Sequence, residues 1–351
     1  MFSQFLEKVD GQYSLKLPFV VYRKPNQTKV KAIFQENDQL HRFTEFTKNG
    51  FIFGAFDDEH PIRIKIDRIE EVEYNPKMEV AIDKYPFATG DKHQKEFHID
   101  LVTRAINEIK QGSFEKVVVS RKIEVPCDTA PLSLFLLLLK RYKNTFCYIW
   151  YHPKVGLWIG ATPETLLTAN GKKFSTMSLA GTLEYKANLE PVWGEKELNE
   201  QELVTQYISD NLRDNLKGMT VSKPESVRAG NLWHLRSNIS GEITIGLKET
   251  VEALHPTPAV CGLPKSNSKA FILTHENYDR EYYTGFLGEV NFGEDSNESH
   301  LFVNLRCLKL VKSMAFIYVG GGITKASIPE KEWKETNIKA ETMLNIINFF
   351  K

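Results

Sequence analysis

Leu254-His255-Pro256-Thr257-Pro258-Ala259-Val260-Cys261-Gly262 is the segment that most restricts the conformations open to this chain. Each proline fixes its own φ, lacks a backbone donor and pushes the residue before it out of the helical region. The run therefore neither continues a helix nor sits inside a central strand. It reads as a stiff wall, and Ala259 marks a place where a small side chain leaves room for a ligand or a solvent molecule. Taken alone, the run is equally an ordinary Pro-rich connection.

The chain has 351 residues, 42% hydrophobic and 26% charged, enough to bury a sizeable core in one large domain or two. Lys and Arg number 45, as do Asp and Glu. A balance of zero points away from nucleic acid or an anionic membrane as partner and towards a small neutral or anionic substrate. Residues 1–19 mix acidic and basic side chains without the apolar stretch of a secretion signal. The longest apolar run, Leu134–Leu139, is too short to span a bilayer. Cys127, Cys147, Cys261 and Cys307 show neither CxxC nor Cys/His spacing, against a zinc site or a disulfide framework, and the expected location is cytoplasmic.

Residues 1–93 carry short β-like stretches at Tyr13–Tyr22, Lys29–Phe34, Phe51–Phe56 and Ile62–Ile69, separated by turn residues. In residues 94–351 a helical pattern over Phe97–Lys110 leads through Gly112 into a strand at Phe114–Val125. Further strands are expected at Phe146–Tyr151, Leu157–Gly160, Leu301–Leu310 and Ala315–Val319, and long helices at Glu195–Leu216 and Glu330–Phe350. Strands and helices mix without a regular βαβ repeat, which predicts an α+β fold of mainly antiparallel sheets. No low-complexity linker intervenes, so residues 1–93 should pack onto the rest as a β-rich N-terminal part.

Glu197 and Glu200 lie three residues apart on one predicted helix, and Glu332 and Glu335 repeat the spacing on the other, so each pair shares a helical face. If the helices meet, the carboxylates suit a hard cation such as Mg²⁺; the same spacing is met by two solvated faces. In Glu115-Lys116-Val117-Val118-Val119-Ser120-Arg121, strand alternation puts Lys116, Val118 and Ser120 on one face. A lysine base needs burial or a nearby cation to lower its pKa by roughly three units, about 4 kcal/mol; a snorkelling edge-strand lysine is the other reading. Glu164, just past an apolar strand in Gly160-Ala161-Thr162-Pro163-Glu164, is either a general acid in an apolar setting or a helix-start glutamate. Leu179-Ala180-Gly181-Thr182 and Gly320-Gly321-Gly322 could offer backbone N–H groups to an anion as nests do, or be plain turns. Arg306 offers a bidentate fork to a carboxylate, and Lys339, one turn past Glu335, a point charge.

In order, Lys116-Val-Val-Val-Ser-Arg, Gly160-Ala-Thr-Pro-Glu164, Leu179-Ala-Gly-Thr182, Glu200-Gln-Glu-Leu-Val, His255-Pro-Thr-Pro-Ala259, Tyr278-Asp-Arg-Glu281, Arg306, Gly320-Gly-Gly322 and Trp333-Lys-Glu335-Thr resemble the chorismate-utilising enzymes, and among these the isochorismate synthases. The likeness runs from about His93 to Lys351. It implies a single large domain of two orthogonally packed β-sheets flanked by helices, with the site in a deep cleft. It also implies that Lys116 activates water against C2 of chorismate while Glu164 protonates the departing C4 hydroxyl. Glu200 and Glu335 would hold Mg²⁺, supported by Glu197 and Glu332. Arg306, Tyr283, Lys339 and the backbones of Gly181, Thr182, Gly320 and Gly322 would grip the substrate carboxylates, and His255 would orient substrate or nucleophile near the metal.

Related activities are separated by single residues. Anthranilate synthases carry Gln where Lys116 stands and draw ammonia from a glutamine amidotransferase; Lys116 argues for water and against such a partner. Aminodeoxychorismate synthases keep the lysine but differ at the His-Pro-Thr-Pro-Ala segment. Salicylate synthases, which go on to eliminate pyruvate, place Thr at the position of Ala259. Gln201 departs from the His common in the family after the metal-binding glutamate. A non-catalytic chorismate-binding module would have lost Lys116, Glu164 or a metal glutamate, and all are present. Menaquinone synthesis is the expected use of the product, from the likeness of Ala259–Lys265 to menaquinone-type synthases, with siderophore or salicylate synthesis as alternatives. A monomer is expected.

Overall fold

The computed structural model describes residues 2–57, 60–74, 92–187, 189–293, 295 and 297–350. Before residue 75 the chain forms α1 (Phe2–Ser14), β1 (Phe19–Arg23), β2 (Lys29–Phe34), β3 (His41–Arg42), β4 (Gly50–Gly54), β5 (Ile62–Ile64) and β6 (Arg68–Glu73). There follow α2 (Lys92–Gln111), β7 (Lys116–Pro126), α3 (Pro131–Arg141), β8 (Phe146–His152), β9 (Gly156–Thr162), β10 (Thr165–Asn170) and β11 (Lys173–Glu184). Next come α4 (Glu195–Leu212), β12 (Leu216–Val221), β13 (Glu225–Ala229), β14 (Leu232–Ile243), α5 (Leu247–Leu254), β15 (Gly262–Leu263) and α6 (Lys265–His275). The remainder is β16 (Phe286–Phe292), β17 (Glu298–Val303), β18 (Cys307–Val311), β19 (Met314–Ile323) and α7 (Pro329–Ile347).

Two antiparallel sheets result, ordered β15-β7-β19-β18-β9-β8-β1-β2-β6 and β12-β14-β11-β10-β17-β16-β4-β5-β3, with β13 on β14. Residues 19–73 thus extend an edge of each sheet. An aromatic layer joins the two: Phe146 of the first sheet stacks on Phe302 of the second at 4.1 Å, and Phe53 of the second meets Trp150 of the first edge-on. The outer face of the first sheet is covered by α1, α3 and α7, that of the second by α4 and α5. Alternation along β7 holds, with Val117 and Val119 in a core with α2 while Lys116 and Val118 face the other way.

Three expectations need correction, one being Ile62–Ile69, which divides into β5 of the second sheet and the start of β6 of the first. Tyr13 belongs to α1, whose Phe5, Val9 and Gln12 are buried at helical spacing; the chain then turns through left-handed Lys16 and Pro18 before β1 begins. Leu301–Leu310 is two strands in different sheets. β17 lies in the second sheet and β18 in the first, and between them Arg306 takes φ +48°. β9 and β10 cross between the sheets in the same way, through Pro163-Glu164, directly beside that passage: Cys307 pairs with Gly160 and Phe302 with Thr165. Ala161 N–H donates to the Arg306 carbonyl and Val303 N–H to that of Glu164, each at 3.0 Å. Two neighbouring crossings therefore bring the backbones of Glu164 and Arg306 to the same seam of the sheets.

Candidate active site

At that seam is a cleft lined by residues of both sheets, the kind of concave place where small molecules bind. Glu164 and Arg306 stand in its wall with Gly181, Thr182, Glu200, Ala259, Tyr283, Gly320, Gly322 and Lys339. Glu164 is 4% exposed, and burial pushes its carboxyl up to about 8 although Lys116 and Lys339 pull the other way. It holds its proton at neutral pH. Lys116 is fully buried behind the lining residues Gly322 and Glu200, its Nζ 2.9 Å from Glu200 Oε1.

Gly322 makes that pairing possible, since a Cβ there would fall on Glu200 Oε1 and lie 3.0 Å from Lys116 Cε. The expectation of a nest at Gly320–Gly322 is not met: the three glycines lie inside β19, paired with Ser120, Val119 and Val118 of β7, and none has a positive φ. β18 ends its pairing at Tyr318, so the other edge of β19 opens beyond it. Lys339 Nζ donates to the Gly320 carbonyl at 2.9 Å, and strand alternation turns Gly322 the same way. Gly181 differs: with φ +70° it is the extra residue of a bulge in β11, where a Cβ would press on the Glu197 backbone. Its carbonyl accepts from His234 Nδ1 at 2.9 Å, so Nε2 carries the lone pair that receives Arg306 Nη2 at 3.2 Å. Burial, with Arg306 and Lys339 nearby, takes His234 down to about 3 and keeps it neutral. Arg306 thus hydrogen-bonds neutral groups, His234 and Thr342 Oγ1 at 3.4 Å, and burial lowers its own pKa although Glu335 acts the other way.

The four glutamates separate. Glu332 Oε1 accepts from Lys196 Nζ at 2.6 Å and Glu335 Oε1 from Lys339 Nζ at 2.6 Å. Burial and the neighbouring Glu335 raise Glu332. Burial works against Glu335 too, but Lys339, Lys196 and Arg306 outweigh it and hold that carboxyl below its ordinary value. Lys196 is held above its ordinary value, burial being outweighed by Glu332, Glu335 and Glu200. Glu197 turns back to accept from Gly194 N–H at 3.2 Å, capping its own helix instead of joining the group. Glu332 Oε2 is buried, and Glu332 and Glu335 oxygens approach the same face of Gly321, 3.6 and 3.7 Å from where its Cβ would stand. Glu200, Glu332 and Glu335, each paired with its own lysine, form an all-oxygen set that fits a hard cation in donor chemistry, although among the described residues no three such side chains are drawn together closely enough to enclose one. Gln201 Nε2 is within reach of Ser178 Oγ, Thr205 Oγ1 and Ser237 Oγ at 3.2, 2.8 and 2.9 Å, pinning α4 to the second sheet next to Glu200.

His255 is not in this cleft. It caps the C-terminus of α5 in extended conformation, its ring meets Phe286 edge-on at 4.8 Å, and it lines a separate recess; burial and Lys265 take it down to about 3. The wall reaches the site only at Ala259 and Val260. His234 and Lys196 are absent from the sequence reading. Lys196 is legible as an i,i+4 partner of Glu200, whereas His234 becomes visible only through the pairing that sets it opposite Thr182.

The family model for chorismate binding enzymes matches residues 41–348. Isochorismate synthase EntC of Escherichia coli K12 is 33% identical over 259 residues, 70% of this chain and 66% of the relative. Isochorismate synthase DhbC of Bacillus subtilis is 30% identical over 264 residues, 69% of this chain and 65% of the relative. The chain thus matches just under two thirds of the length of these curated relatives. In fold it is similar to DhbC of Bacillus anthracis, with TM-score 0.81 at 24% identity over 94% of this chain and 96% of that one. The menaquinone-specific isochorismate synthase MenF of Escherichia coli superposes with TM-score 0.78 at 20% identity, over 94% and 89%.

Proposed function

We propose that this chain, which belongs to the chorismate binding enzyme family, converts chorismate to isochorismate. The observation that carries the reading is one cleft holding a buried carboxyl raised to about 8 and, behind its wall, a fully buried lysine. Such a pair has the two opposite proton-transfer tasks that exchange of one hydroxyl for another requires.

Lys116 takes a proton from the water that attacks C2, the ring double bond shifts, and the C4–O bond breaks as Glu164 delivers its proton to the leaving hydroxyl. One water enters and one leaves. Arg306, steered by neutral His234, receives one substrate carboxylate with a planar fork. Lys339, the open edge of β19 and Tyr283 line the space for the rest. Glu200 and Glu335, with Glu332 behind them, would hold a Mg²⁺, which would supply positive charge to offset that of the substrate carboxylates. Glu197 serves by fixing the start of α4. With water as nucleophile no amidotransferase subunit is needed, and the enzyme works as a cytoplasmic monomer. Among the described residues no helix is long and apolar enough to cross a membrane.

The test is to incubate purified protein with chorismate and Mg²⁺ and to separate the products chromatographically. Isochorismate, formed without ammonia and lost on chelation of the metal, supports the reading. Salicylate and pyruvate as sole products would replace it with the salicylate synthase reaction, and binding without turnover with a binding module. Near-normal turnover by Lys116→Ala would remove Lys116 as the base.

A further inference from the structure

Tyr278-Asp279-Arg280-Glu281 takes no part in the proton transfers or the carboxylate grip, yet it holds one of the most fully bonded side chains in the molecule. Arg280 is 3% exposed. Its Nε donates to Glu276 Oε2 at 2.8 Å and its Nη2 to Glu276 Oε1 at 2.6 Å. The outer edge of the fork goes to main chain: Nη2 donates to the Val118 carbonyl at 2.7 Å and Nη1 to the Val260 carbonyl at 3.0 Å. Val118 stands two residues beyond Lys116 on β7, and Val260 follows Ala259 in the Pro-rich wall; both line the cleft. The same two segments are joined by Val118 N–H to the Cys261 carbonyl at 2.8 Å and by the pairing of β7 with β15. Ser120, on β7, gives Glu276 two further bonds, from N–H at 2.7 Å and Oγ at 2.8 Å.

A buried ion pair is weak evidence for stability, because an apolar replacement of similar volume is often as stable. No apolar pair, however, would satisfy two carbonyls presented by different segments, and lysine's single ammonium cannot span them as a planar fork does. We propose that Arg280, oriented by Glu276, is a positioning residue that sets the gap between the Lys116 strand and the Ala259 wall, and with it the space in which the substrate ring lies. Its consequence for turnover rests on the isochorismate reading; the clamp does not.

The test compares the full chain with Arg280→Lys, which keeps a charge near Glu276 but loses the fork, and Ser120→Ala, which loosens the same buried group while leaving both carbonyl bonds. Hydrogen exchange of peptides covering residues 116–120 and 256–263 should quicken about ten-fold in Arg280→Lys. kcat should fall about 30-fold with KM changed by no more than about three-fold. Ser120→Ala, at comparable loss of melting temperature, should leave exchange in those peptides and kcat near wild type. Unchanged exchange in Arg280→Lys, or kcat falling in both variants in step with melting temperature, overturns the proposal. If Arg280→Lys does not fold, Glu276→Gln takes its place, with faster exchange in the same peptides expected and unchanged exchange overturning the clamp. A wild-type protein without chorismate turnover would overturn the isochorismate reading, and exchange alone would then decide the clamp.

Discussion

Gly322 and Glu200 are matched in shape: the Glu200 carboxylate occupies the volume that any side chain at 322 would need, and from there it meets Lys116 at 2.9 Å. Gly322 has no positive φ, so alanine is tolerated by the strand itself. Gly322→Ala should therefore fold, with a lowered melting temperature because the fully buried Lys116 loses its ion pair, and lose about 100-fold in kcat because the carboxylate must leave its place beside Lys116. Steady-state kinetics alongside a thermal melt separates the two effects.

Glu164 sets a pH dependence whose sign is fixed by its raised carboxyl. Between its ordinary value of 4.5 and about 8 the folded protein holds a proton that the unfolded chain has released. This group therefore lowers stability as pH rises through that window. Glu164→Gln removes the contribution, so the wild type should lose melting temperature relative to the variant between about pH 5 and 8. As the proposed general acid, Glu164 would be competent below about 8 and not above, so wild-type kcat should fall on the alkaline side. Glu164→Gln should lose about 1,000-fold in kcat below about pH 8, where the wild-type carboxyl still holds its proton, since an amide does not deliver it.

Much of the site was legible because its chemistry sits on local patterns. The alternation of β7 isolates Lys116, and the i,i+3 spacing of Glu332 and Glu335 puts them on one face of α7. What stayed hidden depends on pairing between distant segments. Leu301–Leu310 reads as one apolar strand, and only the register with Thr165 on one side and Gly160 on the other shows that it changes sheets at Arg306. His255 was misplaced because a stiff run fixes its own shape but not which of its side chains meets the cleft. That is decided by the end of α5 and the packing of His255 on Phe286. Glu197 shares a face with Glu200 by spacing, yet Gly194 lacks a side chain to cap α4, so the nearest carboxylate returns to its backbone N–H.

His234 should act on affinity more than on chemistry. It is neutral, accepts a hydrogen bond from Arg306 and is itself held by the Gly181 carbonyl, so it orients the fork without touching the reacting atoms. His234→Ala frees the guanidinium to swing and should raise KM for chorismate about ten-fold, the worth of one hydrogen bond to a charged group, with kcat reduced less than KM is raised. A variant in which kcat falls and KM holds would instead place His234 in the proton transfers.

Ala259 tests whether the wall selects the outcome. It lies in the cleft lining, partly buried against the core of the second sheet, and is followed by Val260, whose carbonyl Arg280 holds. A threonine at this place adds a methyl and a hydroxyl to a wall that does not retreat easily, so a stability loss of about 1–3 kcal/mol is expected. The hydroxyl also adds a donor and an acceptor to the cleft lining, the kind of group that a further elimination from the proposed product needs. Ala259→Thr should therefore lower isochorismate turnover and release pyruvate, measured by coupling to lactate dehydrogenase and NADH, where the wild type releases none. If isochorismate formation falls and pyruvate stays absent, Ala259 governs only the room in the cleft, and the choice of product lies with groups on the other wall.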